Sequence, residues 1–288
     1  MLAATDGKYS LFVLPDDYPL NPRKDYEPFG RMICWHPRYD LGDDHEYEEP
    51  ADLLRDLYRE SIHDGGRRLF QFVKSGAAKS TRLVYNRSSH EWDLEELWNW
   101  RSGPCWEHVC SGAQKDFLVG GCCFDDLMKT LEQHELEELL EEKDSLLLLP
   151  LYLYDHSVLS ISTSSFIGRA QHAEWDSGQV GVIYATRDMI QKEFGAINPE
   201  TLEKARKLLV AEVESYDLYL RGICFGYRLF EDADEIDACW GFLGWFEDLK
   251  EDIRGYLPDE CAALIDKLES TDISEEAYLL EHLAILQS

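Results

Sequence analysis

Residues 146–195 read LLLLPLYLYDHSVLSISTSSFIGRAQHAEWDSGQVGVIYATRDMIQKEFG, and their alternation decides the fold class. The opening LLLLPLYLY is short, continuous and apolar, which suits a buried strand. VLSISTS alternates apolar and small polar residues, as a partner strand would, with Asp155, His156 and Ser157 as the turn between them. GQVGVIYAT reads as a third strand. Thr186 then caps a short helix that Gly195 ends. Gly178 and Gly181 permit tight turns or close backbone approach.

Outward from this block the elements are mixed. On the N-terminal side, KYSLFVL (8–14) and Met32–Trp35 read as strands separated by a proline-rich loop. Leu53, Leu54, Leu57, Tyr58 and Ile62 recur at helical spacing after Pro50, and Asp64-Gly65-Gly66 stops that helix. LFQFV and TRLVY read as a hairpin around KSGAAKS. Trp92, Trp98, Trp100 and Trp106 read as core, and residues 124–142 read as one helix. On the C-terminal side, Asn198-Pro199 opens the longest helix, with Leu202, Ala205, Leu209, Val213, Tyr216 and Leu220 as its buried stripe. ICFGYRLF and DACWGFLGW form a hairpin, and three helical stretches follow. Strands and helices lack a strict βαβ rhythm. The expected class is therefore α+β: an antiparallel or mixed central sheet, surrounding helices and an acidic helical C-terminal region. A single domain over 1–288 is expected, with 245–288 as a helical subregion.

Charge is the strongest compositional signal. The 288 residues carry a net −29. Residues 231–288 alone hold 17 acidic and 3 basic side chains, a net of −14. Such a surface disfavours phosphate-backbone binding, which needs clustered Lys and Arg. It suits solubility through self-repulsion, or docking on a basic, nucleic-acid-binding protein. The candidate partner-binding residues are Glu132, Glu135, Glu138 and Glu142 on the helical face, with Glu231, Asp232, Asp234, Glu235, Asp248, Glu251 and Asp252 in the C-terminal region. Residues 65–90 are the exception: Arg67, Arg68, Lys74, Lys79, Arg82 and Arg87 occur there without one acidic residue. That ribbon is read as neutralised by the protein's own acidic helices, with a phosphate contact as the alternative.

No run of eighteen apolar residues exists, and the N-terminus lacks a signal-peptide pattern, so the chain is expected to be cytoplasmic, in the host cytoplasm. The eight cysteines include no CxxC pair and are expected to be reduced, most of them as small buried hydrophobes. GxxxxGKS, GxGxxG and HExxH are absent, so no nucleotide, metal or other cofactor is expected. Two groups carry candidate chemistry. Cys34, His36 and His45 hold residue types of a thiol–base pair or part of a metal site. Asp155, His156, Ser157, His172, Asp176 and Ser177 hold the residue types of a hydrolase triad without a nucleophile elbow, and a polar turn whose Asp and Ser side chains satisfy backbone groups is the favoured reading. Cys239-Trp240-Gly241-Phe242 alternates bulky and small residues, as core packing would.

Three blocks together resemble a family of uncharacterised bacteriophage and mobile-element proteins: GRMICWHPRYDLGDDHEY, PLYLYDHSVLSISTSSF with WDSGQVGVIY, and YLRGICFGYRLF with DACWGFLG. Trp175, Asp176, Ser177, Gly178, Gln179 and Gly181 form the most specific string, joined by Cys239 and Trp240. Val158 stands where the family pattern has Gly, and GRAQHAE replaces the usual Cys-Pro before Trp175. The resemblance implies a genomic setting more than a mechanism. With the charge, it leads to an expected accessory protein that binds and inhibits a host protein, of the anti-restriction or anti-CRISPR kind, as a DNA mimic. The alternative is a Cys/His- or metal-dependent hydrolase using the central loop. No membrane and no direct nucleic-acid contact are expected.

Overall fold

The alternation in the central block becomes two faces of one strand: Leu149, Leu151 and Leu153 are buried, while Tyr152, Tyr154 and His156 take the opposite side. The computed structural model describes residues 1–61, 66–113, 122–141, 146–232 and 234–286. It belongs to the α+β class with antiparallel sheets. The first elements are β1 (Leu2–Thr5), β2 (Tyr9–Pro15), β3 (Arg31–Cys34), α1 (Pro50–Ser61) and α2 (Arg67–Ser75). Next come β4 (Thr81–Asn86), β5 (Glu91–Trp100), β6 (Gly103–Ala113), α3 (Cys122–Thr130) and α4 (Gln133–Glu141). The central block supplies β7 (Leu146–His156), β8 (Val158–Ser162), α5 (Ala173–Asp176), β9 (Ser177–Thr186) and α6 (Arg187–Phe194). After it run α7 (Pro199–Leu220), β10 (Cys224–Glu231), β11 (Asp234–Leu243), α8 (Phe246–Tyr256), a 3-10 helix (Ala262–Lys267), β12 (Glu269–Ser270) and α9 (Glu275–Leu286). Among the described residues, no helix is long and apolar enough to cross a membrane.

The chain divides into two compact units, one of Met1–Cys34, Leu149–Ile183 and Glu203–Ser288, the other of Trp35–Leu148 and Tyr184–Leu202. The first unit holds a five-stranded antiparallel sheet, order β11-β10-β2-β1-β12, in which both ends of the chain meet. One face sets Leu11, Val13, Tyr227 and Leu229 against Leu249 and Ile253 of α8 and Leu257 at its C-cap. On the other face, Phe12 and Phe230 pack against Leu279 and Tyr278 of α9. The second sheet, order β3-β9-β7-β8, carries the central block. There Tyr152 pairs with Ser162, Tyr154 with Ser160 and His156 with Val158, leaving Ser157 alone to turn the chain at φ 68°. The long helix follows its predicted stripe at Ala205, Leu209, Val213 and Tyr216, all buried, while Leu202 and Leu220 are only half-buried. Asn198 caps it by accepting the Glu200 and Thr201 amides, each at 3.0 Å.

The second unit departs from the sequence reading in three places. LFQFV is not a strand but part of α2. A strand would bury Leu69 and Val73 together with Gln71, whereas a helix buries Leu69, Phe70, Phe72 and Val73 and leaves Gln71 outside. The single helix of 124–142 is two, broken between Thr130 and Gln133. The Thr130 carbonyl is taken by the Ser80 and Thr81 hydroxyls, at 3.0 and 3.2 Å, and α4 begins afresh at Gln133. The expected tryptophan core is a strand surface: Trp98 and Trp100 stack on each other, centroids 5.9 Å apart, at the solvent-exposed end of the β5–β6 hairpin. The expected helix stop at residues 64–65 lies outside the described residues. Within the basic ribbon, Arg82 pairs with Glu95 at 2.6 Å, a residue of strand β5 rather than of a helix.

Glu135 was expected on a solvated acidic face and is instead buried. Its carboxylate accepts the Ser80 amide at 2.9 Å and the Glu132 amide at 3.0 Å, together with the Ser80 hydroxyl and the Lys79 amide. Burial alone would push this carboxyl up, but the Ser80, Glu132 and Lys79 donors outweigh it and hold it below its ordinary 4.5. A depressed carboxyl stabilises the fold above its unfolded value, and that contribution is lost as pH falls through the folded value. Glu135→Ala is therefore expected to lower stability by about 2–3 kcal/mol at neutral pH by stranding buried donors. The difference from wild type should shrink below pH 4.5. Urea midpoints at pH 7 and pH 3.5 check this, and equal midpoints at pH 7 would refute it.

Candidate functional site

The parity of β7 and β8 builds a cavity in the first unit. Tyr154 and His156 share a face with Ser160 and Ser162, and these residues line a pocket of about 720 Å³ closed by Phe166, Asp217 and Trp245. His156 Nδ1 lies 2.8 Å from Asp176 Oδ2, so the YDH and WDSGQ segments meet here. Tyr154 stands between the His156 and Phe166 rings, with centroids 5.8 and 5.4 Å away, and its hydroxyl donates to the Gln171 carbonyl at 2.8 Å. The His172 ring is 6.0 Å from His156, and its backbone is held left-handed at φ 58°. A left-handed, non-glycine backbone on both sides of the pair, at Ser157 and His172, is conformational strain that the surrounding contacts hold in place.

Deeper in the pocket, Asp217 Oδ1 accepts the Ser160 hydroxyl at 2.6 Å and the Ile161 amide at 2.8 Å. Arg221 reaches Asp217 Oδ2 at 3.3 Å and lies over the Trp245 ring at 5.2 Å. Asp217, Arg221 and Trp245 were not singled out from sequence. Asp217 carried a signal all the same: an acid directly after Tyr216 of the buried stripe requires a partner.

The Asp176 carboxylate selects the neutral tautomer with the proton on Nδ1, in which Nε2 is the acceptor, the arrangement a general base needs. The nucleophile is another matter. The Ser160 hydroxyl is spent on Asp217, and the Ser177 hydroxyl donates to the Ala173 carbonyl at 2.6 Å. Among the described residues no hydroxyl or thiol hydrogen-bonds His156. The triad residues thus converge as a His–Asp pair, not as a triad.

The residues of the Cys34 group take the following places. Cys34 is buried at the end of β3 in the first unit, while His36 and His45 belong to the second. His36 Nδ1 accepts the Arg38 and Tyr39 amides at 3.3 and 3.2 Å and stacks on Tyr39, which is a turn-forming role. The His45 ring packs on Trp35 and Tyr47. Among the described residues no three His, Cys, Asp or Glu side chains are grouped to hold a metal ion. Of the cysteines described, Cys34, Cys224 and Cys261 are buried, whereas Cys105 is exposed and Cys110, Cys123 and Cys239 are half-exposed, fewer buried than expected. Burial, helped by the Asp16 carboxylate, pushes the Cys224 thiol up to about 11, which makes it inert.

The acidic candidates fall into three groups. Glu132, just before α4, and Glu138 on it are exposed, and Glu142 lies outside the described residues. Glu231 pairs with Lys8, Glu235 with Arg228, and Glu251 with Arg254. Asp232, Asp234, Asp248 and Asp252 are exposed and carry no ion pair among the described residues. Within the WDSGQVG string, Trp175 is 88% exposed, Gly178 and Gln179 are exposed, and Gly181 is enclosed between strands. Trp240, expected as core, is 47% exposed. Comparisons with protein-family models, with curated proteins and with solved structures found no match.

Proposed function

We propose that this chain is an acidic accessory protein of the phage or mobile-element kind. It binds a basic host protein and blocks it, and a nucleic-acid-processing defence complex is the class of target. The observation that carries the reading is the set of exposed carboxylates at Asp232, Asp234, Asp248 and Asp252, which carry no ion pair among the described residues, in the same unit as half-exposed Trp240 and Trp245. Carboxylates left without internal cations are free to complement a basic surface and steer its approach, and exposed aromatic side chains of the same unit supply the anchors that charge alone lacks. The acidic face occupies a groove built for phosphates, as a DNA mimic would.

The test is retention of a basic nucleic-acid-processing complex from bacterial lysate on the tagged chain, washed at rising salt. Replacing Asp232, Asp234, Asp248 and Asp252 together with Asn is expected to lower retention at least tenfold and to flatten its salt dependence. Undiminished retention would overturn the reading.

One observation favours a second reading: the 2.8 Å His156–Asp176 pair at a pocket of about 720 Å³ suits hydrolysis with a water nucleophile activated by His156. The Asp176→Asn variant separates the two. Partner retention survives it under the first reading, and turnover of ester or phosphoester substrates collapses with it under the second.

A further inference from the structure

The loop after β2 and the bulged edge of β11 form a second concavity in the first unit, of about 420 Å³, lined by Asp16, Asp17, Tyr18, Leu20, Tyr26 and Trp240. Its walls are built, not incidental. In the β10–β11 ladder Tyr227 pairs with Cys239 and Phe225 with Phe242, so Trp240 and Gly241 both stand opposite Gly226. This is a β-bulge, and Gly241 supplies the left-handed residue it needs at φ 92°. The bulge lays the Trp240 ring directly on Gly226, where an added Cβ would sit 2.1 Å from ring carbon Cε3. One face of the indole is therefore fixed on the sheet and the ring remains half-exposed. Asp16 fixes the opposite wall: its amide donates to the Cys224 carbonyl at 2.9 Å, and its carboxylate accepts the Tyr18 amide at 3.0 Å. The Asn21–Asp25 turn, closed by the Asn21 amide on the Asp25 carboxylate at 2.6 Å, sets the position of Tyr26.

Elsewhere several aromatic faces are covered by the protein's own cations. Arg221 lies over Trp245, Lys74 over Trp92, Arg82 over Trp106 and Lys8 over Tyr9, at 5.2, 4.8, 4.2 and 4.4 Å. Among the described residues, Tyr18, Tyr26 and Trp240 have no such cover, although Tyr18 is 91% and Tyr26 56% exposed. The groove lining contains two carboxylates and no Lys or Arg. Aromatic faces converging with carboxylates attract a cation, and a planar guanidinium satisfies both, by stacking on rings and by forking onto a carboxylate.

We propose that this groove takes an arginine side chain projecting from the partner protein. The inference rests on the partner-binding reading above and specifies where that partner is gripped: Trp240 and Tyr18 stack on the guanidinium, and Asp17 pairs with it.

The probe is a capped nonapeptide with three arginines, compared with its lysine and citrulline counterparts, titrated calorimetrically into the full chain at low salt. The arginine peptide is expected to bind at least fivefold more tightly than the lysine peptide, and the citrulline peptide not to bind. Trp240→Ala is expected to weaken the arginine peptide at least tenfold and Trp240→Phe less than threefold. Tyr18→Ala guards against a folding effect, because Tyr18 is almost fully exposed, and should weaken binding at least threefold. No binding at low salt, equal affinity for the arginine and citrulline peptides, or unchanged affinity in both Trp240→Ala and Tyr18→Ala would each overturn the groove. Partner retention lost in the four-fold Asn variant but intact in Trp240→Ala and Tyr18→Ala overturns the groove while the acidic reading stands. Peptide capture that needs Trp240, without retention of any basic partner, upholds the groove and overturns the reading.

Discussion

Glu212→Ala is expected to destabilise the first unit by about 3–5 kcal/mol, because it removes a carboxylate that a buried guanidinium and two backbone amides share. The Arg23 side chain is 1% exposed and Glu212 14% exposed, and Arg23 Nη1 meets Glu212 Oε2 at 2.9 Å. The same carboxylate accepts the amides of Phe29 and Gly30. Arg23 also donates from Nη2 to the Gly30 carbonyl at 2.7 Å, so one carboxylate on α7 and one guanidinium organise the whole 23–30 loop. Truncation takes that carboxylate from the cation and two amides at once. Urea unfolding followed by circular dichroism measures the effect, and a loss under 1 kcal/mol would sink the idea. The double replacement Arg23→Met with Glu212→Leu should be less damaging than Glu212→Ala alone, since removing both charges removes the desolvation penalty with the attraction. The pair also bears on function. Tyr26 lies within the loop it holds, so Glu212→Ala should weaken the arginine peptide even where enough folded protein remains to titrate.

What was legible in the chain follows from how local each determinant is. Strands β7, β8 and β9, helices α6 and α7 and the β10–β11 hairpin all carry their signals within their own residues: a period of two, an Asn-Pro start, a glycine stop. Strand β12 is two residues long and pairs with β1 at the other end of the chain, which no local pattern encodes, while the four-residue β1 pairs with neighbouring β2 as well. LFQFV fits either period over so short a run, and tertiary burial of four apolar side chains decided for helix. The α3–α4 break came from Ser80 and Thr81, some fifty residues away, taking the Thr130 carbonyl. The site divides in the same way. The YDHS and WDSGQVG strings mark the place where His156 meets Asp176. The partners that close the pocket, Asp217 on α7 and Arg221 just past its end, come from a stretch whose sequence reads as structural throughout. Acidity was legible as a total, but which carboxylates are free was not: Glu135 lies in the core and Asp252 in solvent, and only the fold tells them apart.

Gly181→Ala is expected to destabilise the first unit by about 3 kcal/mol, while Gly178→Ala three residues earlier shifts stability by less than about 0.5 kcal/mol. The two glycines share the WDSGQVG string and differ only in what surrounds them. A Cβ on Gly181 would lie 2.1 Å from the Ile33 carbonyl oxygen and 2.9 Å from the Cys34 Cα, which are backbone atoms of β3. No rotamer change relieves that contact; β3 has to move off β9. A Cβ on Gly178 meets nothing within 4 Å. Equal urea midpoints for the two variants would show that the close approach is not what Gly181 serves. The contrast also divides the string by role. Gly181 holds β9 against β3, and Asp176, five residues before it, orients His156. A stable Gly178→Ala protein that loses partner retention would assign the exposed end of the string, with Trp175, to binding. One that keeps retention returns the binding surface to the acidic face and the Trp240 groove.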